Sequence, residues 1–586
     1  MMSSSEALLE TLRAHNVQRV YGIVGSAFMN PLHSFPTAGI KFISVQHEQN
    51  AVHMADGYAR STGDWGVCIG QNGPGVSNMV TGIATAYYAH SPVVMITPQA
   101  SNKTMGYGMF QEVDQMSMFE KITKYQVQVN DPTRIAEELA NCFHYAKLYN
   151  GPVQLNIPRE YLFGGALEYV INGPKKISLQ TPANPDLVNE AAQLLCRAKN
   201  PVILAGGGAG NSRVQVAKLA ENLGAGVVTT YLHNDSFPSD HPLACGALGY
   251  MGSKTGMKLI SSADVVLALG TRLSTFGLTP QYEVDYWPKN AKVIQVDMNA
   301  DAVGKTKNID IGLVGDSGLV CDQLIGTGIL GHLRQHFERK HDLIYKIANM
   351  NKEWANEMNQ LADDSQNRHG RIAPRKALRE LFKHIPDNSI VTTDIGNICS
   401  LTNNYLNCKN PRSFLGAMTY GSCGTALPTA MGAKIGNPNK TLFSIVGDGA
   451  WGMSFFELQT AIRENIPVIN VVFSNQQWGA EKKNQVIWFG DQYTGTNLKN
   501  PNFAAVALAM GANGYNCKTE KEISNAVKDA LSKEHRGKPS VIEIAVTREL
   551  VDPFRRDSMQ LPKRFLDKYV CDNLTEESLT GQPTDI

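Results

Sequence analysis

A chain of 586 residues has room for about three or four domains of ~150 residues each. Its hydrophobic share of 43% and charged share of 18% are ordinary for a globular protein with large cores. A formal charge of +1 leaves no electrostatic case for nucleic acid or an anionic membrane as partner. The 10 cysteines are scattered with no C-x-x-C pair, which argues against a zinc site or disulfide framework and for a reducing compartment. MMSSS runs straight into the amphipathic EALLETLRAH without a basic head and apolar leader core. No apolar run reaches the ~18 residues of a membrane span, so a soluble cytoplasmic protein is expected.

In chain order, residues 1–170 alternate helix and strand. A helix at 6–15 leads to strands near 20–24, 42–45, 66–70 and 92–97, the pattern of a doubly wound α/β domain. Gly173, Pro174, Pro182 and Pro185 mark a linker. A second α/β domain over 186–330 begins with PVILAGGGAG and continues through GVVTTYL, ADVVLALG, KVIQVDMNAD and IGLVGD. The glycines at 206–210 follow a strand, but no acidic residue ends the next strand at dinucleotide-fingerprint spacing, so they read as a structural turn. Residues 331–370 are polar and helix-prone and read as a connecting arm. A third α/β domain spans 371–550. The tail, 551–586, carries basic residues and prolines, and its last stretch, TEESLTGQPTDI, reads as disordered.

The third domain holds the stretch that points to chemistry. TLFSIV and VINVVFS are runs of the kind that form buried parallel strands, ending at Gly447-Asp448-Gly449 and at Asn475. Between them Met453, Phe456, Leu458 and Ile462 recur at roughly helical spacing and predict one helix. Ligands of open α/β sheets bind beyond the strands' carboxyl ends. Two hard oxygen ligands there suit Mg²⁺, and the turn through Gly449 and Ala450 lets backbone amides approach a phosphate. A GDG alone is also what a tight turn requires. The asparagine 27 residues after the aspartate, at the next strand end, favours a magnesium–diphosphate site.

This unit resembles the motif of the thiamine-diphosphate (ThDP) enzymes, of the acetolactate synthase and pyruvate oxidase type. That resemblance implies three doubly wound parallel-sheet domains: pyrimidine-binding, central and diphosphate-binding. QHEQNAVHMADGYAR (46–60) matches the family context in which a glutamate, here Glu48, bonds the cofactor's aminopyrimidine nitrogen. A carboxyl in an apolar, cofactor-lined pocket can share a proton with that nitrogen. Glu48 alone also reads as an acid stabilised at a helix N-terminus. By the same resemblance Gly396 and Asn397 contact the diphosphate, as do Gly447, Gly449 and Ala450. Gly421, Ser422 and Cys423 support the bent cofactor, with Cys423 at the wedge position. Asp448, Asn475 and the backbone carbonyl of Gln477 ligate Mg²⁺. The family splits each cofactor between subunits, which implies a homodimer or homotetramer.

Past Asn475 the chain reads Gln476-Gln477-Trp478-Gly479-Ala480-Glu481-Lys482-Lys483 rather than the apolar run of acetolactate synthases. Glu481 falls where pyruvate decarboxylases place an acid facing the reacting carbon. IGQNGPGVSN, TPQASNKTMGYGMFQEVDQMSMFE, HNDSFPSDH, QQWGAEKKN and DPFRRDSM resemble the sulfoacetaldehyde acetyltransferase branch of the family, across about residues 6–560. The implied reaction is sulfoacetaldehyde plus phosphate giving acetyl phosphate plus sulfite. Sulfite is a competent leaving group, so neither oxidant nor flavin is required. The implied catalytic residues are Glu48, Glu481 and Gln111. Two anions need cations and amides, for which Lys103, Lys482, Arg555, Arg556, Gln71 and Asn72 are candidates. The tail bearing the two arginines would act as a lid. Each of these cations alone also reads as a solvated surface charge. The competing readings are a 2-keto-acid carboligase and a catalytically silent protein of the same fold.

Overall fold

Strands such as VVMITPQ (Val93–Gln99) and INVVFS (Ile469–Ser474) are buried along their whole length. That burial on both faces is what parallel sheets covered by helices require. The computed structural model describes residues 1–282, 285–329, 334–417, 419–489 and 492–548, together with 565–566. Arg555, Arg556, the expected lid and the expected disordered end lie outside the described residues.

Three six-stranded sheets carry the molecule, and every strand pairing within them is parallel. The first runs, edge to edge, Lys41–Ser44, Arg19–Gly22, Gly66–Ile69, Val93–Gln99, Val153–Pro158 and Tyr125–Gln128. The last runs Phe414–Leu415, Ser389–Thr393, Thr441–Gly447, Ile469–Ser474, Ser540–Ala545 and Asn513–Cys517. Numbered along the chain, both follow the order 2-1-3-4-6-5, so the outer domains share one topology. The central sheet, with strands from Pro201–Ala205 to Ile311–Val314, follows 3-2-1-4-5-6. The polar arm is one helix, Arg334–Asp364, whose Ile347 and Ala362 are fully buried.

The outer domains fuse through two helices. Glu48–Thr62 follows the second strand of the first sheet, and Ala426–Gly436 follows the second strand of the last. Their backbones touch at paired glycines. A Cβ on Gly57 would lie 2.0 Å from the Thr429 carbonyl oxygen, and one on Gly432 would lie 1.9 Å from that of Met54. The spacing is reciprocal, three residues on each helix. Met54, Ala55, Ala430 and Met431 accordingly belong to one core.

One expected element is corrected. The helix read from Met453, Phe456, Leu458 and Ile462 is two short helices, Asp448–Gly452 and Glu457–Arg463, separated by a turn. Leu458 is buried, but Met453 and Phe456 are 59% and 57% exposed. The apolar spacing therefore does not trace one buried helical face.

Candidate active site

The last sheet changes winding direction at Ser389–Thr393, whose neighbours are Phe414–Leu415 on one side and Thr441–Gly447 on the other. Such a switch point opens a crevice beyond the strand ends. A cavity of about 350 Å³ occupies it. Its lining includes Gly396, Asn397, Gly421, Cys423, Gly447, Asp448, Gly449, Ala450, Asn475, Gln477 and Glu481. These residues come from three strand ends and one intervening loop, so the fold gathers most of the expected cofactor contacts. Gly396 has φ +116°, a backbone state that only glycine adopts easily, and it starts the Asn397–Tyr405 helix at the cavity wall. Gly449 leaves room for the Trp478 ring, which a Cβ would approach to 2.8 Å.

Asp448 is buried, and burial pushes its carboxyl up to about 6. Its Oδ2 accepts hydrogen bonds from the Gln476 amide at 2.6 Å and Asn500 Nδ2 at 2.9 Å. Its Oδ1 accepts only from the neighbouring Gly449 amide, at 3.1 Å. Gln477 lines the same wall, and its side-chain Oε1 is buried with no hydrogen-bond partner. The Asp448 carboxylate and the Asn475 amide are hard oxygen donors of the kind that Mg²⁺ takes, and Gln477 lies beside them with both its backbone carbonyl and this side-chain oxygen to offer. The strand end is held from behind. Arg548 Nε donates to the Asn475 carbonyl at 3.3 Å, and Arg371 Nη1 to that of Ser474 at 3.0 Å.

Asp394 was not singled out from sequence, although it opens the DIGN stretch. Its carboxylate is fully buried and accepts from the amides of Ile395 and Gly424, both at 3.0 Å, and of Thr425 and Ala426 at 2.8 and 3.0 Å. It thereby ties the 421–426 turn to the end of Ser389–Thr393. Burial raises its carboxyl to about 6 against the pull of those amides. Cys423, at the cavity surface, has its thiol pushed up to about 12 by burial, with the carboxylates of Asp394 and Glu481 adding to the shift. Ser422 faces away, its hydroxyl 2.8 Å from that of Thr85.

A second cluster forms at the corresponding strand ends of the first sheet. Glu48 begins its helix, is buried, and accepts from Asn78 Nδ2 at 2.9 Å. Gln71 Nε2 donates to Asn72 Oδ1 at 2.7 Å and to Gln111 Oε1 at 2.8 Å, and Asn72 Nδ2 donates to the Gln111 carbonyl at 2.9 Å. Gln111 sits at φ +61°, strain of a kind that gathers at functional sites. Glu457 Oε1 receives the amides of Gln46 and His47 at 2.8 and 3.2 Å and Asn50 Nδ2 at 2.9 Å, anchoring the loop before Glu48. Asn78 and Glu457 are further residues that sequence reading left unnamed. An asparagine inside IGQNGPGVSN was the available signal for the first, and Glu457 had none.

The Glu48 cluster is not part of this cavity's lining: none of Glu48, Gln71, Asn72 or Gln111 belongs to it. Lys103 is exposed on the same loop as Gln111. Lys482 is buried away from the cavity lining, its ammonium 4.1 Å from the Tyr493 ring centroid and 3.4 Å from Asn497 Oδ1. Among the described residues, no group of three or more His, Cys, Asp or Glu side chains could hold a metal by itself, and no helix is long and apolar enough to cross a membrane. His53 is fully buried, which lowers its imidazole to about 4.

Residues 2–118 match the thiamine pyrophosphate enzyme N-terminal TPP-binding domain, 188–324 the central domain, and 394–544 the C-terminal TPP-binding domain. The chain is 47% identical to a sulfoacetaldehyde acetyltransferase of Castellaniella defragrans and 46% identical to one of Alcaligenes xylosoxydans xylosoxydans, in each case over 97% of both chains. A probable acetolactate synthase large subunit of Methanocaldococcus jannaschii is 32% identical over 94% of both chains. Benzoylformate decarboxylase from Polynucleobacter necessarius shares the fold, with a TM-score of 0.80 at 23% identity, over 94% of this chain and 100% of that one.

Proposed function

This chain belongs to the thiamine-diphosphate enzymes, in the branch of the sulfoacetaldehyde acetyltransferases, and we propose that it converts sulfoacetaldehyde and phosphate to acetyl phosphate and sulfite. The observation that carries this reading is full-length identity of 41–47% to several enzymes of that name, against 31–32% to acetolactate synthases. When bound, ThDP supplies a nucleophilic carbon and an electron sink, so the carbon–sulfur bond breaks without an oxidant.

The chain's own residues bind, orient and move protons around that carbon. Asp448, Asn475 and the Gln477 backbone carbonyl would hold Mg²⁺, and Gly396, Asn397, Gly449 and Ala450 would contact the diphosphate. Gly421 and Cys423, also in the lining, would support the cofactor, with Ser422 fixing that turn to Thr85. Glu48, with one oxygen held by Asn78, exchanges a proton with the aminopyrimidine ring nitrogen. Glu481, exposed at the cavity, handles protons at the substrate carbon. Gln71 and Asn72 hold Gln111 through its side-chain and backbone oxygens, and the Gln111 side-chain amide is left to donate to the sulfonate. Lys103 and the tail's Arg555 and Arg556 supply positive charge for the two anions, whereas Lys482, buried beside Tyr493, is set aside from that role.

Because Glu48 is not part of the Asp448 cavity's lining, a complete site takes one cluster from each of two subunits. A homodimer, or a homotetramer built from it, is the working unit. Exposed apolar side chains flank both clusters in support of this: Tyr107 and Phe110 next to Gln111, and Tyr420 and Met453 around the cavity turn. Buried, unbridged thiols at Cys68, Cys142 and Cys399 fit work in the reducing cytoplasm.

Sulfite and acetyl phosphate are measured from sulfoacetaldehyde, omitting ThDP, Mg²⁺ or phosphate in turn. Each omission is expected to abolish both products. Acetolactate formation from pyruvate with no sulfite release would instead place the chain with the carboligases.

A further inference from the structure

Arg375 is the one cation among the described residues that line the cavity. It stands at the second position of the Pro374–Phe382 helix, whose first turn contains no acidic residue. A helix N-terminus carries partial positive charge, so a guanidinium there is disfavoured unless an anion joins it. Its Nη1 is buried and has no hydrogen-bond partner. The neighbouring arginines are used differently: Arg371 and Arg548 spend their donors on the backbone carbonyls of Ser474 and Asn475. Of the two cavity carboxylates, Asp448 is engaged by Gln476, Asn500 and Gly449, and no ion pair joins Arg375 to it or to Glu481 among the described residues. A half-buried cation facing a cavity, with one donor buried and no counter-ion beside it, is costly until an anion arrives.

We propose that Arg375 is the phosphate-binding cation of this cavity and holds the terminal phosphate of the cofactor's diphosphate. The chemistry it recognises is a phosphoryl oxyanion, for which the planar guanidinium fork is suited. Two molecules bring that group to the enzyme, the cofactor and the co-substrate phosphate. The cofactor is favoured because Arg375 shares its cavity with Gly396, Asn397 and the Asp448–Gln477 donor set, whereas the Glu48 and Gln111 cluster lies elsewhere. This inference rests on the cavity's being the diphosphate site.

The test is direct titration of the full-length protein, with Mg²⁺ present, by the fluorescence of Trp478, whose ring packs on Gly449. Arg375→Gln is expected to weaken ThDP binding about ten- to a hundredfold, and Arg375→Lys to weaken it less. Unphosphorylated thiamine should bind variant and wild type alike. Without cofactor, Arg375→Gln should melt no lower than wild type, since it removes a half-buried unpaired charge. ThDP affinity within twofold of wild type would overturn the assignment. So would a raised KM for inorganic phosphate with unchanged ThDP affinity, which would give Arg375 to the co-substrate. A lower melting temperature of the cofactor-free variant, with thiamine binding equally weakened, would make the residue structural. If wild type itself does not bind ThDP, the reading of the cavity fails and not merely Arg375's part in it.

Discussion

Asp448 shows how burial tunes the proton affinity of one side chain. Its carboxyl is held up to about 6 in the folded chain, against 3.8 for an ordinary aspartate. The folded, metal-free protein therefore binds this proton more tightly than the unfolded chain does. Ionising Asp448 then costs the metal-free protein stability as pH rises from 3.8 to about 6. A divalent cation reverses the balance by pairing with the ionised form. Mg²⁺ affinity is expected to be flat above pH 6 and to fall by up to about tenfold per unit below it. Calorimetric titration between pH 5 and 8 checks this, and a flat profile would remove Asp448 from the ligand set. Glu48 makes a separate prediction. Glu48→Gln keeps a hydrogen-bonding oxygen for Asn78 but cannot take a proton, so turnover should drop by about 10²- to 10⁴-fold while ThDP still binds. Both residues were legible in the sequence because each sits in a long matching stretch. Arg375 was not, because nothing in RIAPRKALRELF says that its guanidinium ends in a cavity without a partner.

At the scale of elements, the paired glycines and the Asp394 clamp decide how the site is held. Gly57→Ala or Gly432→Ala drives a methyl to within about 2 Å of a carbonyl oxygen on the facing helix, an overpacking that typically costs about 1–3 kcal/mol. Urea unfolding should show the loss for each variant. A full-strength Gly57→Ala protein would contradict the close helix contact. Asp394→Asn places an amide NH₂ against backbone amides that now find a carboxylate. It should loosen the 421–426 turn at a cost of about 1–3 kcal/mol, measured as a lower unfolding midpoint. The strands were readable as short β-branched runs. The break at Met453–Phe456 was not, since helical spacing of apolar residues cannot distinguish a face packed on a core from one left exposed by the protomer.

At the scale of the whole molecule, two sheets wound 2-1-3-4-6-5 present two clusters at corresponding strand ends, one carrying Glu48 and the other Asp448. The proposed sharing of sites between subunits has a sharp consequence. Glu48→Gln and Asp448→Ala homodimers should each be inactive, yet a mixture allowed to exchange subunits should recover about a quarter of wild-type activity, through hybrid dimers with one intact site. Sulfite release by the mixture measures it, and no recovery would mean that each chain completes its own site. The sequence by itself determined the three-domain parallel α/β class and the branch of the family, and it put Asp448, Asn475 and Glu48 forward as candidates. These are written in local runs and motifs whose meaning does not depend on distant packing. Only the tertiary structure decided that the outer domains share one winding, that Asp394 and Glu457 anchor the two loops, that Lys482 is buried beside Tyr493, and that Glu48 is not part of the Asp448 cavity's lining. Those facts depend on which strand ends and helix faces come together across hundreds of residues, and local pattern does not encode that.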